Sequence, residues 1–575
     1  MNEEKPRLEA ASNGYQVHYR RRRLYAAHDP RGGAVRRATA AEIPGQTLVL
    51  IASPLLGYGL RELLDICPPD VVVLAVELDP ILAGLVVEDA PDDDRLLWAR
   101  APAAGELDRL LDRALGRRPR RTKLIGLSGG FALQQAAYRA LERKIDDEIR
   151  IFWQNMMTRM RMGRLWIRNL FRNLPFVPES TPLDTLTSDL PILVVGAGPS
   201  LDDHAGALPR SGTAERRRVR VLAVDTALAP LLARGIKPDF VLAVESQQAN
   251  AADFLPPPPA GAPAGDAGSR LPHLICDITA YPGILHQRAV AGTTFVSSRF
   301  APTALLGRLS EAGLLPPEVP PLGSVGVLAV HLGARLTTSS VYFVGLDFCY
   351  DLERTHTRGA PMQTLSLARR SRLDPSPYFG AAVSRPLLTL EGKTGRPVRS
   401  DTVLLSYAEQ LRSTVSALPA GTVYDLCPEH GLPVGAPPAG ALPVGAPAAG
   451  AALQDPPAPP ARPEPSPPAP PPLPGTAAET VDAYLAREQA RLSDLISRLR
   501  EIISGAGTDA LVSRQDYAAI RPILTALDYV YLDFPDPPSP SRSFLGRVLL
   551  SALDYEGRVR RARRLRERLP RSSRS

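Results

Sequence analysis

A short aliphatic run that ends abruptly in a Gly-X-Gly-Pro-Ser turn, residues 191–202 (PILVVGAGPSLD), constrains the fold more than any other stretch of this 575-residue chain. Four consecutive aliphatic residues, Ile192–Val195, leave no face for water and predict a strand buried on both sides, as in parallel sheets. Gly196 and Gly198 carry no side chains, so backbone N–H groups there can approach a phosphate closely. The following helix would aim its positive end at the same spot. Pro199 suits a first helical turn, and Ser200 adds a hydroxyl donor. Asp202 and Asp203 fit the start of a helix dipole as readily as they fit a site. The same turn also serves as a plain tight connection in many sheets.

The downstream sequence repeats the pattern. Residues 219–224 form a second apolar strand ending at Asp225-Thr226. Residues 227–233 are helical and closed by Gly235, and 236–239 turn the chain into a third strand, 240–244, ending at Glu245. Alternating strands and helices with polar residues at the strand C-termini predict a doubly wound α/β sheet, whose ligands sit at those ends. Farther on, Ser324 opens a helix, the strand 341–345 ends at Asp347, and His356 follows in a loop. Asp347 fits a turn cap as well as a catalytic role, Ser324 fits a helix cap as well as a donor contact, and a loop histidine is often a silent solvent-facing one.

The blocks GAGPSLD (196–202), AVDTALAPLLARGIKPDFVLAVESQQ (223–248) and SVYFVGLDFCY (340–350), with His356 after them, resemble a bacterial family that includes the motility accessory factors, which are flagellin glycosyltransferases. The same family is named for a 6-hydroxymethylpterin diphosphokinase MptE-like domain. The resemblance takes in Asn155, Trp166, Asn169 and Asn173 upstream and residues 402–437 downstream, and is most specific over 190–360. The turn is also similar to that of bacterial sialyltransferases that use CMP-sugars, where it lies against the nucleotide. The resemblance implies a Rossmann-like, sialyltransferase-like core. Its nucleotide-binding residues would be Gly196, Ala197, Gly198, Pro199, Ser200, Asp225, Thr226, Glu245 and Ser324, and its catalytic residues His356 and Asp347. It implies a CMP-sugar as substrate with no tightly bound cofactor, and flagellin or another protein as acceptor.

Transfer from a CMP-sugar passes through an oxocarbenium-like state while the nucleotide leaves as an anion. It asks for donors to the phosphate, here the 196–200 turn, and for an acceptor of the hydroxyl proton. Imidazole has its ordinary pKa near the operating pH, which makes His356 the candidate base. Asp225 and Glu245 would hold ribose or base hydroxyls. Pyrophosphoryl transfer from ATP to a pterin is a second reading and needs magnesium across the phosphates, hence clustered carboxylates. The sequence Glu245-Ser246-Gln247-Gln248 supplies one carboxylate flanked by amides, with Asp225 as a further acid. A third reading is a non-catalytic flagellin chaperone or scaffold. The glycine turn also predicts that Gly198→Val abolishes nucleotide binding and leaves the fold intact.

The chain is too long for one core, so about two to four domains are expected. The divisions are an N-terminal Rossmann-like α/β domain (1–130), a helical connector (131–184), the core (185–432) with a disordered insertion (256–272), a Pro/Ala/Gly-rich linker (433–475), a C-terminal helical region (476–556) and an Arg-rich tail (557–575). In the first of these, Thr47–Ala52 and 71–76 read as strands around the helix Leu60–Ile66, and Glu77 ends the second strand. An acid there imitates a ribose-binding layout, but Ser53-Pro54-Leu55-Leu56 stands where glycines would be, which favours a structural domain. Asn169 and Asn173, spaced i, i+4, predict hydrogen bonds between helices. The helical region reads as a packed bundle or as an oligomerisation or acceptor-docking module.

The net charge of +8 lies in the tail, which holds nine arginines against Glu567 and accounts for the whole excess. The folded body therefore offers no basic face for nucleic acid. The tail suits an acidic partner, an anionic surface, RNA or plain solvation. Cys67, Cys276, Cys349 and Cys427 are far apart, with no zinc spacing, which argues against disulfide and zinc frameworks. Residues 1–23 lack an apolar core, and no run approaches the roughly 20 apolar residues that span a bilayer, so a cytoplasmic location without a transmembrane segment is expected; an oligomer is left open.

Overall fold

The computed structural model describes residues 5–85, 91–103, 105–254, 272–286, 291–299, 303–350, 355–368, 370–373, 386–419, 421–427, 429–434, 480–505 and 511–569. The expected insertion up to residue 271, the linker from residue 435 and the last six residues lie outside the described residues. The chain separates into two compact units, Met1–Thr158 and Arg159–Ser575, and the division falls within one long helix, Gln135–Asn173.

In the first unit, β1 (Arg7–Ala11), β2 (Gly14–Tyr19) and β3 (Arg22–Arg23) form an antiparallel meander. β4 (Thr47–Ala52), β5 (Val72–Glu77), β6 (Leu96–Arg100) and β7 (Arg121–Ile125) form a parallel sheet in the order β6-β5-β4-β7. β4 and β5 are buried along their whole length, as unbroken aliphatic runs require. The turn after β4 holds Ser53 and Leu55 at φ +49° each, a left-handed conformation adopted without glycine, and Leu55 and Leu56 are buried. Glu77 is buried too. Its Oε2 accepts from Ser53 Oγ at 2.6 Å and its Oε1 from the Asp79 N–H at 3.0 Å. The acid that imitates a ribose ligand is bonded within the protein.

The second unit is built on seven parallel strands: β8 (Ile192–Val195), β9 (Arg220–Val224), β10 (Phe240–Ala243), β11 (His273–Asp277), β12 (Thr293–Val296), β13 (Val341–Val344) and β16 (Val423–Asp425), in the order β12-β11-β10-β9-β8-β13-β16. β14 (Leu388–Glu391) and β15 (Pro397–Ser400) form a separate antiparallel hairpin. The chain winds outward from β8 to β12, then returns to the other side of β8 with β13, so the direction of winding reverses between β8 and β13. This is the doubly wound α/β core that the strand pattern predicts.

The C-terminal helices Val481–Gly505, Arg514–Ala526 and Arg542–Arg568 do not stand apart. Leu485, Leu492, Leu499, Leu545 and Val548 share one apolar core with Leu170 and Phe171 of the long helix and Leu305 and Leu309 of the helix Ala304–Glu311. The apolar stripe is packed core, because a three-helix face this wide must be covered. The expected Arg-rich tail is helical to Arg568. Arg558 pairs with Asp554, Arg560 with Glu556 and Arg566 with Glu179, and Arg563 bonds Gln489 Oε1, so much of the charge is bound internally. No helix among the described residues is long and apolar enough to cross a membrane.

Candidate functional site

At the reversal point the C-terminal ends of β8 and β13 lie against each other. The N–H of Gly196 bonds Val344 O and that of Gly198 bonds Gly345 O, each at 2.8 Å. Ser200 donates twice to Asp347: its N–H to Oδ2 at 2.8 Å and its Oγ to Oδ1 at 2.5 Å. Ser200 and Asp347 are both buried. A Cβ on Gly198 would stand 2.5 Å from Asp347 Oδ2 and 2.8 Å from Gly345 O, and one on Gly196 would fall on the Gly345 carbonyl. The glycines are needed for the approach of two strand ends.

This alters the expected phosphate cradle. Three of its amides, at Gly196, Gly198 and Ser200, are bonded to β13 and the residues after it, as is the Ser200 hydroxyl. Pro199 precedes a helix of only five residues, Ser200–His204, so the dipole behind the turn is that of a single turn. Asp347, expected as catalytic, has both carboxylate oxygens on Ser200 and caps that short helix from a neighbouring strand. Ser324 caps the helix Val325–Leu336 by accepting from the Gly326 N–H at 3.2 Å.

The ends of β9 and β10 hold a different group. Asp225 begins the helix Asp225–Ala233; its Oδ1 accepts from the Thr226 N–H at 2.8 Å and its Oδ2 from Asn250 Nδ2 at 3.0 Å. Burial raises the pKa of Asp225, and the charge of Glu245 adds to the rise. Glu245 is exposed and folds back on its own turn, its Oε1 accepting from the N–H groups of Ser246 and Gln247 at 3.0 and 3.3 Å. Asp253 lies in the 3-10 helix Gln248–Phe254 with Asn250. It is 4% exposed, and its Oδ1 has no hydrogen-bond partner among the described residues. Burial, reinforced by the charge of Asp225, pushes its pKa up to about 7. Sequence reasoning missed Asn250 and Asp253; their i, i+3 spacing in a segment without other motif was the one available signal.

A raised carboxylate pKa means that the folded state binds more protons than the unfolded chain between the ordinary Asp range and about pH 7, so stability falls as pH rises through that window. Asp253→Asn removes the buried charge. It should stabilise the protein by on the order of 1–3 kcal/mol at pH 8, with the gain vanishing toward pH 4. Thermal melts of both proteins across that range check this; a variant less stable at pH 8 would show that the carboxylate is needed ionised.

His356 is brought to the β8 turn by its neighbour. The Thr357 N–H bonds Ala197 O at 2.8 Å, and Thr357 Oγ1 bonds Asp202 Oδ1 at 2.5 Å. Asp202 also takes Arg234 Nη2 at 2.6 Å, so this acid is a strut between the turn, the helix end and the loop. His356 is exposed, and the protein atoms packed around its imidazole lower its pKa. Its Nδ1 lies 3.0 Å from Thr355 Oγ1. No hydrogen bond among the described residues joins it to Asp347.

Asn169 and Asn173 hold the loops after β10 and β11. Asn169 Nδ2 donates to Ser246 O and Thr279 O at 2.9 and 3.0 Å, and Asn173 Nδ2 to Ile278 O and Ala280 O at 2.8 and 2.9 Å. They tie a helix to strand ends, where the i, i+4 spacing predicted bonds between helices.

The sequence pattern of the family described as 6-hydroxymethylpterin diphosphokinase MptE-like matches residues 168–353, the span that carries these strand ends. An uncharacterized protein of Treponema pallidum (strain Nichols) is 30% identical over 564 residues, 92% of this chain and 90% of the relative. A second uncharacterized protein of that organism is 27% identical over 100 residues, 17% of this chain and 46% of that protein. Among solved structures, the MAf glycosyltransferase from Magnetospirillum magneticum AMB-1 superposes with a TM-score of 0.50 at 16% identity, covering 98% of this chain and 91% of that one, which is a likeness of fold. With the glycine turn, the Asp225 and Glu245 strand ends and the Gly-Leu-Asp block all inside the matched span, the chain belongs to the MptE-like family, on a fold that it shares almost end to end with a MAf glycosyltransferase.

Proposed function

We propose that the protein transfers a sugar from a CMP-activated nonulosonic-acid donor to a Ser or Thr hydroxyl of a protein acceptor such as flagellin, at the C-terminal ends of β8, β9 and β10. The seating of His356 carries this reading: Thr357 fastens it to Ala197 and Asp202 at the glycine turn, and its lowered pKa favours the form that accepts a proton. The acceptor oxygen attacks the anomeric carbon, the bond from that carbon to the phosphate oxygen breaks, CMP leaves as an anion, and the hydroxyl proton goes to His356. Asp225, steadied by Asn250 and Thr226, would hold nucleotide hydroxyls. The fold shared with a MAf glycosyltransferase supports the reading.

The family's description favours pyrophosphoryl transfer as a second reading. That chemistry needs a divalent cation. Among the described residues no three His, Cys, Asp or Glu side chains are grouped to hold one, so those residues do not fit a magnesium site.

Calorimetric titration with CMP, and separately with ATP plus magnesium, tests the assignment, followed by CMP release from a CMP-sugar with acceptor present. His356→Ala should lower turnover by roughly 10²–10⁴-fold with CMP affinity within a few-fold of wild type. Because the imidazole pKa is lowered, the rate should stay level through neutral pH and fall only on the acid side of the ordinary histidine value. Binding of ATP with magnesium but not CMP would move the assignment to pyrophosphoryl transfer, and silence toward both would leave a scaffold.

A further inference from the structure

No acid among the described residues bonds His356. Its imidazole meets Thr355 Oγ1, a neighbour in the same loop, so the place of the ring is set by whatever holds that loop. One carboxylate does most of the holding. Asp202 lies in the short helix Ser200–His204 with its side chain 9% exposed. Its Oδ1 accepts from Thr357 Oγ1 at 2.5 Å, Arg234 Nη2 at 2.6 Å and the Arg358 N–H at 3.1 Å, and its Oδ2 lies 3.2 Å from the same N–H. Thr357 is fully buried between exposed His356 and Arg358, and its N–H also bonds Ala197 O at 2.8 Å. Arg234 follows the helix Asp225–Ala233, and its Nη1 reaches Pro230 O at 2.9 Å and Arg358 O at 3.4 Å.

An acid near the start of a helix is ordinary, but a helix of five residues has little dipole for it to answer. The partners of Asp202 point elsewhere, since the hydroxyl and the amide belong to a loop 155 and 156 residues further along the chain. Bonds from a hydroxyl, an amide and a guanidinium to one carboxylate are all charge-assisted, hence short and well directed. A base that must meet a hydroxyl proton is sensitive to such a hold, because a displacement of about 1 Å can cost about a hundredfold in rate.

We propose that Asp202 is a positioning residue for transfer: through the Thr357 hydroxyl and the Arg358 amide it fixes His356 at the glycine turn, and through Arg234 it ties that loop to the helix that Asp225 begins. The inference rests on the sugar-transfer reading, which supplies the role of His356.

The test measures turnover of a CMP-sugar by the full chain with acceptor present. Its variants are Thr357→Val, which removes the hydroxyl at nearly constant size and keeps every charge, Thr357→Ser and Asp202→Asn, each alone and combined with His356→Ala. Thr357→Val and Asp202→Asn should lower kcat by about tenfold to a hundredfold with KM for the donor within a few-fold, and Thr357→Ser should stay near wild type. Combined with His356→Ala, neither should cost more, because nothing is left to position; full additive losses there would make Asp202 a structural acid and overturn the proposal. A second readout needs no turnover. The His356 Cε1–H resonance, identified by its loss in His356→Ala, reports the seating of the ring. Protein atoms packed around the imidazole hold its pKa below the usual histidine value, so in Thr357→Val its titration midpoint should rise toward that value. An unmoved midpoint overturns the proposal. A wild type that neither binds CMP nor turns over a CMP-sugar overturns the sugar-transfer reading, and a raised midpoint then still supports Asp202 as the strut that seats the ring. Melting curves check the fold of each variant; should Asp202→Asn fail to fold, Thr357→Val carries the test.

Discussion

Gly198→Val should unfold the second unit rather than merely empty a nucleotide site, with a loss on the order of 3–5 kcal/mol. The first added carbon meets Asp347 Oδ2 at 2.5 Å and Gly345 O at 2.8 Å. Neither neighbour can retreat: the carboxylate is held by two bonds from Ser200, and the carbonyl accepts the N–H of Gly198 itself. Overpacking a well-filled core costs about 1–3 kcal/mol. Here the remaining valine carbons add to it, and the displaced carboxylate leaves two buried Ser200 donors unpaired at about 1–3 kcal/mol each, only part of which adds. Denaturant titration measures the loss. A variant as stable as wild type would mean that the β8 and β13 ends are farther apart than they stand here, and would restore the turn as a phosphate cradle. The sequence-level expectation of lost binding in an intact fold is revised accordingly.

Glu488→Ala should cost about as much, for a different reason. The carboxylate is fully buried where the C-terminal helices meet the helix Ala304–Glu311. It accepts from Arg308 Nη2 at 2.6 Å, Tyr529 OH at 3.0 Å and Arg491 Nη1 at 3.1 Å. Removing it strands the mostly buried Arg308 guanidinium and a fully buried phenol, and breaking a buried pair from one side costs about 3–5 kcal/mol. Glu488→Gln keeps an acceptor and should lose less. The order wild type, Gln, Ala in denaturant midpoint is the expected result; equal midpoints would show that solvent reaches the pair.

Glu488, Arg308 and Tyr529 stand far apart in sequence and carry no local pattern that joins them, whereas the strands do. β8 coincides with the aliphatic run Ile192–Val195, and β4 with Thr47–Ala52, because four to six consecutive buried side chains allow little but a strand covered on both faces. The helix Leu60–Ile66 was equally legible, and the doubly wound order followed from alternation. His356 was legible as a residue type near a strand end. What seats it is Thr357, whose partners Ala197 and Asp202 are more than 150 residues away in sequence.

The sequence by itself determined the strands β4, β5, β8, β9, β10 and β13, that they lie in parallel α/β sheets, and which polar residues stand at their ends, since those follow from local pattern and burial. The tertiary structure alone decided what those ends do. Glycines at 196 and 198 look the same in a chain whether they admit a phosphate or a neighbouring strand, and a carboxylate at 347 reads the same whether it faces a substrate or holds Ser200. Only the position of β13 beside β8 distinguishes them, because hydrogen-bond partners are assigned by through-space distance. The same holds for Asp253, an ordinary charged residue in sequence, which became notable because folding left an acceptor buried and unmatched.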